Sequence, residues 1–308
     1  MNEQPTQPTG ANGGDAAPMK LFRCPNGLQV WNAPESGAEV RFIYDEIFGR
    51  HCYERNGVSV RDGDVVVDVG ANVGLFALSL MERFHGLKIM CVEPVPATRA
   101  CLARNLAESP RRSHHDVLVV PRAVGSTPGE TTIAYFPQAP GNSTMHLDAK
   151  RRDWARLVNE TSFSQLWHMN KRLALLVLPL LPWRRRVFAR FVEPVLDRAV
   201  TVPCQVCTVS DLIRQHELDR IDVLKIDVEG AELDVLDGIE AGHWPRIRQV
   251  AAEIAPMNKS ALVDLDGRLK SLGFARVTIE SVRGGAPVLR DASACALYAV
   301  RSPAPGAS

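Results

Sequence analysis

The stretch VVVDVGANVG at residues 65–74 leaves this chain few ways to fold. Val65, Val66 and Val67 are three β-branched residues in succession, an apolar run suited to a strand covered on both faces. The run stops at Asp68. A turn holding Gly70, Asn72 and Gly74 then leads into Leu75, Phe76, Leu78 and Leu80, spaced as a helix face. Strand, small-residue turn and helix start place a carboxylate beside exposed backbone N–H groups at the carboxyl end of a parallel sheet, where small polar ligands bind.

Around that stretch the chain alternates. Strand 65–69 is followed by a helix over 74–84, a strand over 88–93, a helix over 96–108 and a strand over 117–124. Such alternation implies parallel pairing through right-handed crossovers in a doubly wound α/β sheet. The second strand ends at Glu93, about 20 residues past the glycine turn, where an acid can accept hydrogen bonds from both hydroxyls of a ribose. A dinucleotide turn would read G-x-G-x-x-G. Here Asn72 stands in place of the second glycine, and Asp68 would be unwelcome beside phosphate but useful beside an ammonium group. A ligand with an amino-acid end, a ribose and no phosphate satisfies these features, and S-adenosylmethionine is such a ligand.

Upstream, residues 1–18 have almost nothing to bury and read as a disordered tail. Residues 19–60 form an N-terminal cap segment. Within it RFIYDEIFGRHCYERNG (41–57) is helical in pattern, with Phe42, Ile43, Ile47 and Phe48 on one face, able to fold over the pocket. Tyr53 and His51 are its candidate ligand contacts, with plain packing the alternative for Tyr53. After Val124 the pattern becomes a turn, an alternating strand from Thr131 to Phe136 and a polar loop, read as a hairpin excursion. It offers Asn142, Ser143, Thr144 and His146, the last a candidate general base.

Composition narrows the partners. With 308 residues, 45% hydrophobic, 23% charged and a net charge of +1, nothing global favours nucleic acid or a membrane. Seven scattered cysteines suit reduced thiols of a cytoplasmic protein, and the pair Cys204 and Cys207 lacks the further ligands of a zinc site. No apolar run reaches membrane-spanning length. Residues 150–200 differ in character: eleven Lys or Arg against four acids, interleaved with Trp154, Phe163, Trp167 and LALLVLPLLPW (173–183). This helical basic insertion is either a lid with a solvated basic face or a docking face for an anionic partner, such as an acyl carrier protein or an anionic surface.

The alternation then resumes with a strand ending at Asp227, the Gly230 turn, a helix, a strand 248–254 carrying Glu253, a helix 260–272 and an antiparallel terminal pair. With LKIDVEGAE at 224–232, DVGANVG at 68–74 and VEP at 92–94, the chain resembles the FkbM family of S-adenosylmethionine-dependent methyltransferases. The resemblance implies the class I methyltransferase fold, Rossmann-like, with a seven-stranded mostly parallel sheet, helices on both faces and an antiparallel last strand. Residues 61–149 and 201–302 would form this domain, with 150–200 as an addition. It further implies methyl transfer to a hydroxyl of a natural product, sugar or glycolipid.

By motif position, Asp68, Gly70, Asn72 and Gly74 would surround the methionine part of the cofactor, Glu93 would hold the ribose, and Arg122, Ala123 and Val124 would lie near the adenine. Tyr53, Ser143 and Asp227 complete the candidate cofactor set. Asp227, Glu229, Glu253 and His146 are candidate bases for the acceptor hydroxyl. Asp227 and Glu253 would be the ligands if a divalent cation such as Mg2+ takes part. Transfer to nitrogen or RNA and a non-catalytic cofactor-binding scaffold stay open as alternatives, and a homodimer is a further candidate assembly.

Overall fold

Val66 packs into one hydrophobic core and its neighbours Val67 and Val69 into another, so the strand they form has apolar layers on both faces. The computed structural model describes residues 18–152, 197–254, 259–281 and 295–302. A small antiparallel pair, β1 (Lys20–Arg23) and β2 (Gln29–Asn32), precedes helix α1 (Gly37–Tyr44) and a π-helical turn over Asp45–Gly49. The central strands are β3 (Val65–Val69), β4 (Lys88–Val92) and β5 (Asp116–Val120), with helices α2 (Leu75–Arg83) and α3 (Pro96–Glu108) as their crossovers. Gly74 caps α2 in a left-handed conformation, φ +89°, and Pro96 opens α3, where its missing N–H costs nothing.

Further along come β6 (Ala123–Val124), β7 (Gly129–Tyr135), β8 (Val200–Cys207), α4 (Val209–Gln215), β9 (Val223–Ile226), α5 (Glu232–Asp237), β10 (Gln249–Ile254), α6 (Lys259–Ser271), β11 (Arg276–Ser281) and β12 (Cys295–Val300). The main sheet has the order β11-β12-β10-β9-β3-β4-β5. Its five strands from β5 to β10 are parallel, whereas β12 runs antiparallel between β10 and β11. This is the seven-stranded sheet that the resemblance implies.

Two expectations change. The strand expected over 117–124 is broken: Pro121 cannot continue a ladder, Arg122 N–H turns back to the Val120 carbonyl (3.0 Å), and β6 leaves for another sheet. That three-stranded sheet has the order β6-β8-β7: β7 pairs antiparallel with β8, from beyond the insertion, and its local return is a single antiparallel bridge between Ala134 and Thr144. Cys204 and Cys207 lie in β8 as free thiols, and burial pushes the Cys207 thiol up to about 11. The helical pattern of 41–57 ends at Gly49. Residues 147–152 begin a helix; residues 153–196 of the insertion and residues 1–17 of the expected 1–18 tail lie outside the described residues.

Candidate active site

Strand order positions the site. β3 lies between β4 and β9, and the segments leaving the carboxyl ends of all three line one cavity with an empty volume of about 960 Å³, part of it open to solvent. Its walls are the turn Gly70–Val73, Glu93–Val95, Arg122–Val124, the loop carrying Gly141 and Ser143–Met145, and Asp227–Glu229. Ile43, Glu46, Ile47 and Tyr53 reach in from the N-terminal segment, so that segment does form a wall of the pocket.

Four N–H groups of the β3 turn have partners in the chain. Gly70 and Ala71 donate N–H to the Val92 carbonyl (3.0 and 3.1 Å), and Gly74 donates to Ala71 (2.9 Å). Asn72, itself left-handed at φ +49°, donates to Glu93 Oε2 (3.0 Å), while Val95 N–H binds Glu93 Oε1 (3.0 Å). Beside the turn, the cavity therefore meets a buried Glu93 carboxylate held by two backbone donors, the N–H groups of Asn72 and Val95. Burial pushes the Glu93 carboxyl up to about 7, against the pull of these two donors.

Asp68 has no exposure and stands behind the cavity wall. Its partner is Lys225, directly opposite in the β3–β9 register, with Nζ 2.9 Å from Asp68 Oδ1. Lys225 also donates to the Gly70 carbonyl (2.8 Å), lies 4.0 Å from Asp227 Oδ2 and sits 5.2 Å from the Tyr53 ring centroid. Burial works to discharge Lys225, but Asp68 and Asp227 outweigh it and hold the ammonium charged. The ammonium group expected beside Asp68 is thus the chain's own. Asp227 lines the cavity and accepts a hydrogen bond from Tyr53 Oη (2.7 Å).

Glu229 adopts φ +56° and also lines the cavity. Thr144 Oγ1 donates to its carbonyl (2.7 Å), and Lys150 Nζ binds its Oε2 (3.0 Å) and the Asn142 carbonyl (2.6 Å). Lys150 is 8% exposed, so the first residue of the basic block is part of the site, not of a solvated face. Two lysines, 150 and 225, are functional candidates that pattern reading missed. Lys225 did carry a signal, since a cation inside an apolar strand requires a buried counter-charge.

Other expected site residues lie elsewhere. His146 points to Asp234 (3.1 Å) and is outside the cavity lining. Gly74 packs against Leu102, where an added Cβ would come within 2.6 Å of its side chain, and His51 faces Glu54 instead of the cavity. Glu253 is level with Asp227 by the β9–β10 register but does not line the cavity. The Asp227–Glu253 pair consequently does not fit a divalent cation, and among the described residues no three His, Cys, Asp or Glu side chains are grouped to hold one. Among the described residues, too, no helix is long and apolar enough to cross a membrane.

Comparison with known proteins matches the Methyltransferase FkbM domain to residues 68–274. A 31-O-demethyl-FK506 methyltransferase, FkbM, of Streptomyces tacrolimicus is 33% identical over 84% of this chain and 90% of its own length. Methyltransferase sdnD of Sordaria araneosa is 32% identical over 71% of this chain and 76% of its own. Among solved structures, the METTL16 MTase domain aligns loosely, with a TM-score of 0.40 and 11% identity over 85% of this chain and 68% of that one.

Proposed function

The chain belongs to the Methyltransferase FkbM domain family and is an S-adenosylmethionine-dependent methyltransferase; from that premise we propose that it methylates a hydroxyl oxygen of a small molecule, with Glu229 accepting the hydroxyl proton. The observation that carries this reading is the carboxylate of Glu229, fixed by Lys150 at the cavity wall past the end of β9. The name of the Streptomyces relative, a 31-O-demethyl-FK506 methyltransferase, supports an oxygen acceptor.

Glu93 suits the ribose hydroxyls of the cofactor, as a carboxylate with lone pairs beyond those its two backbone donors use. Arg122, Ala123 and Val124 would border the adenine. S-adenosylmethionine supplies an electrophilic sulfonium methyl group, so the protein's task is to align the acceptor oxygen and to take its proton. Glu229 is suited to that task because Lys150 and Thr144 together fix both its side chain and its left-handed backbone.

The test is a panel of macrolide, glycoside and sugar hydroxyl acceptors incubated with radiolabelled S-adenosylmethionine. On a responding acceptor, Glu229→Gln is expected to lower the rate at saturating cofactor by about 10²–10⁴-fold, with S-adenosylhomocysteine affinity within about twofold of wild type. A variant with the wild-type rate would remove Glu229 from this role.

A further inference from the structure

At the amino ends of β4 and β5, on the side of the main sheet away from the cavity, a buried imidazole takes the place of a backbone acceptor. Gly86 donates its N–H to the His114 carbonyl (3.1 Å), and Asp116 donates to the Leu87 carbonyl (2.9 Å). Between these two bonds, Leu87 N–H goes to a ring nitrogen, His115 Nδ1, at 3.3 Å. His115 is 7% exposed. Because Nδ1 accepts, the ring is the neutral tautomer with its proton on Nε2. A second proton, on Nδ1, would set N–H against N–H and bury a charge.

β5 is an edge strand, and β4 is its neighbour in the ladder. Arg112, from the 3-10 turn Arg112–His114 that leads into β5, donates to the carbonyls of His115 (2.9 Å) and Val117 (2.8 Å). Two further histidines stand close: the His114 ring centroid is 6.5 Å from that of His115 and 6.4 Å from that of His85. Asp62 lies 3.9 Å from His85 Nδ1, Arg83 on α2 pairs with Glu54, and Lys88 and Asp116 stand opposite each other where β4 and β5 begin. Burial holds the His115 imidazole below the ordinary histidine range; His114, His85 and Arg112 press the same way, and the Met81 carbonyl pulls against them.

We propose that His115 is an acid-operated latch on the edge strand: its neutral ring closes the last rung between β4 and β5, and protonation opens that rung and frees the amino end of β5. From this rung β5 runs to Pro121 and the cavity-lining residues Arg122, Ala123 and Val124, so the latch sits on the strand that carries one wall of the cavity. An unfolded chain protonates this histidine near 6.5, above the latched ring. The latch therefore stabilises fully above that pH and is lost as pH falls below it. Buried Glu93 and Glu232, whose carboxyls are raised, contribute with the opposite slope.

Hydrogen exchange of the full chain, read by mass spectrometry at pH 7 and pH 5 and corrected for the intrinsic rate, tests the latch. In the wild type the opening equilibrium of the segments holding Leu87 and residues 115–120 is expected to rise about fivefold or more at pH 5. His115→Gln offers Leu87 an acceptor that does not titrate, and its response should stay within about twofold. The carboxyl contributions are common to both proteins and cancel in the comparison. His114→Gln and His85→Gln leave the rung in place and should keep most of the wild-type response. An equal response in His115→Gln, a response lost in His114→Gln or His85→Gln, or no response in the wild type would each overturn the proposal. Should His115→Gln fail to fold, ring and amide NMR of the wild type decides: protonation of His115 must move together with exchange at Leu87 N–H, and a ring that titrates while that amide stays protected sinks the latch.

Discussion

Gly70→Ala is expected to destabilise the protein by about 4 kcal/mol or more and to abolish S-adenosylhomocysteine binding. A Cβ at this position would lie 1.9 Å from the Asp227 carbonyl oxygen and 2.9 Å from its carbon, both backbone atoms that no rotamer change can move. Gly70 also has φ +77°, where a side chain adds strain of its own. The two turns cannot simply part, because Asp227 N–H binds the Val69 carbonyl (3.0 Å) and Gly70 N–H binds Val92 (3.0 Å). Relieving the clash thus breaks the β3–β9 junction and shifts Asp227. Gly230→Ala is the control: its φ is +109° but nothing lies within 4 Å of an added Cβ, so only backbone strain of about 1–2 kcal/mol remains. Urea denaturation of both variants, followed by calorimetry, checks the pair. Equal, small losses would show that the junction is soft and the close approach unimportant.

The same junction shows what was legible in the residues and what was not. The β3 turn could be read because its signals are local: a β-branched run, an acid and small residues in order. The sheet followed from strand and helix alternation, and the antiparallel last strand from the family resemblance. Lys225 escaped because LKI reads as apolar strand; its meaning depends on the register that sets it opposite Asp68, 157 residues earlier. Lys150 was counted with a basic block, since charge counting cannot see a partner 79 residues away. Glu253 and Asp227 are equivalent by pattern, each at the end of a parallel strand. They separate only through strand order: β9 adjoins the β3 turn, while β10 lies one strand further out beside β12. The pairing of β7 with β8 across the insertion was likewise a non-local choice, made by neither segment alone.

Glu93 is expected to make ligand affinity fall as pH drops through about 7. In the free protein burial holds its carboxyl at about 7, up from 4.5. Ribose hydroxyls donate hydrogen bonds, so they favour the carboxylate; below its pKa the ligand must first displace the proton. Affinity for S-adenosylhomocysteine should then weaken by about tenfold between pH 8 and pH 6. 5′-Methylthioadenosine, which keeps the ribose, should follow the same curve. Glu93→Gln should bind more weakly at pH 8 and show a flat profile. Stability runs the other way. Between 4.5 and about 7 the folded state keeps a proton on Glu93 that the unfolded chain has released. The native state thus binds more protons, and stability falls as pH rises across that window. Glu232, pushed by burial up to about 7 with its carboxylate bound by Val228 and Gly230 N–H, adds to the same trend. The protein should therefore lose stability and gain ligand affinity together as pH is raised from 6 to 8, so that ligand rescues most where the apoprotein is weakest. Chemical denaturation at several pH values, with and without S-adenosylhomocysteine, measures both slopes. A ligand affinity that is flat from pH 6 to 8 would place the ribose away from Glu93.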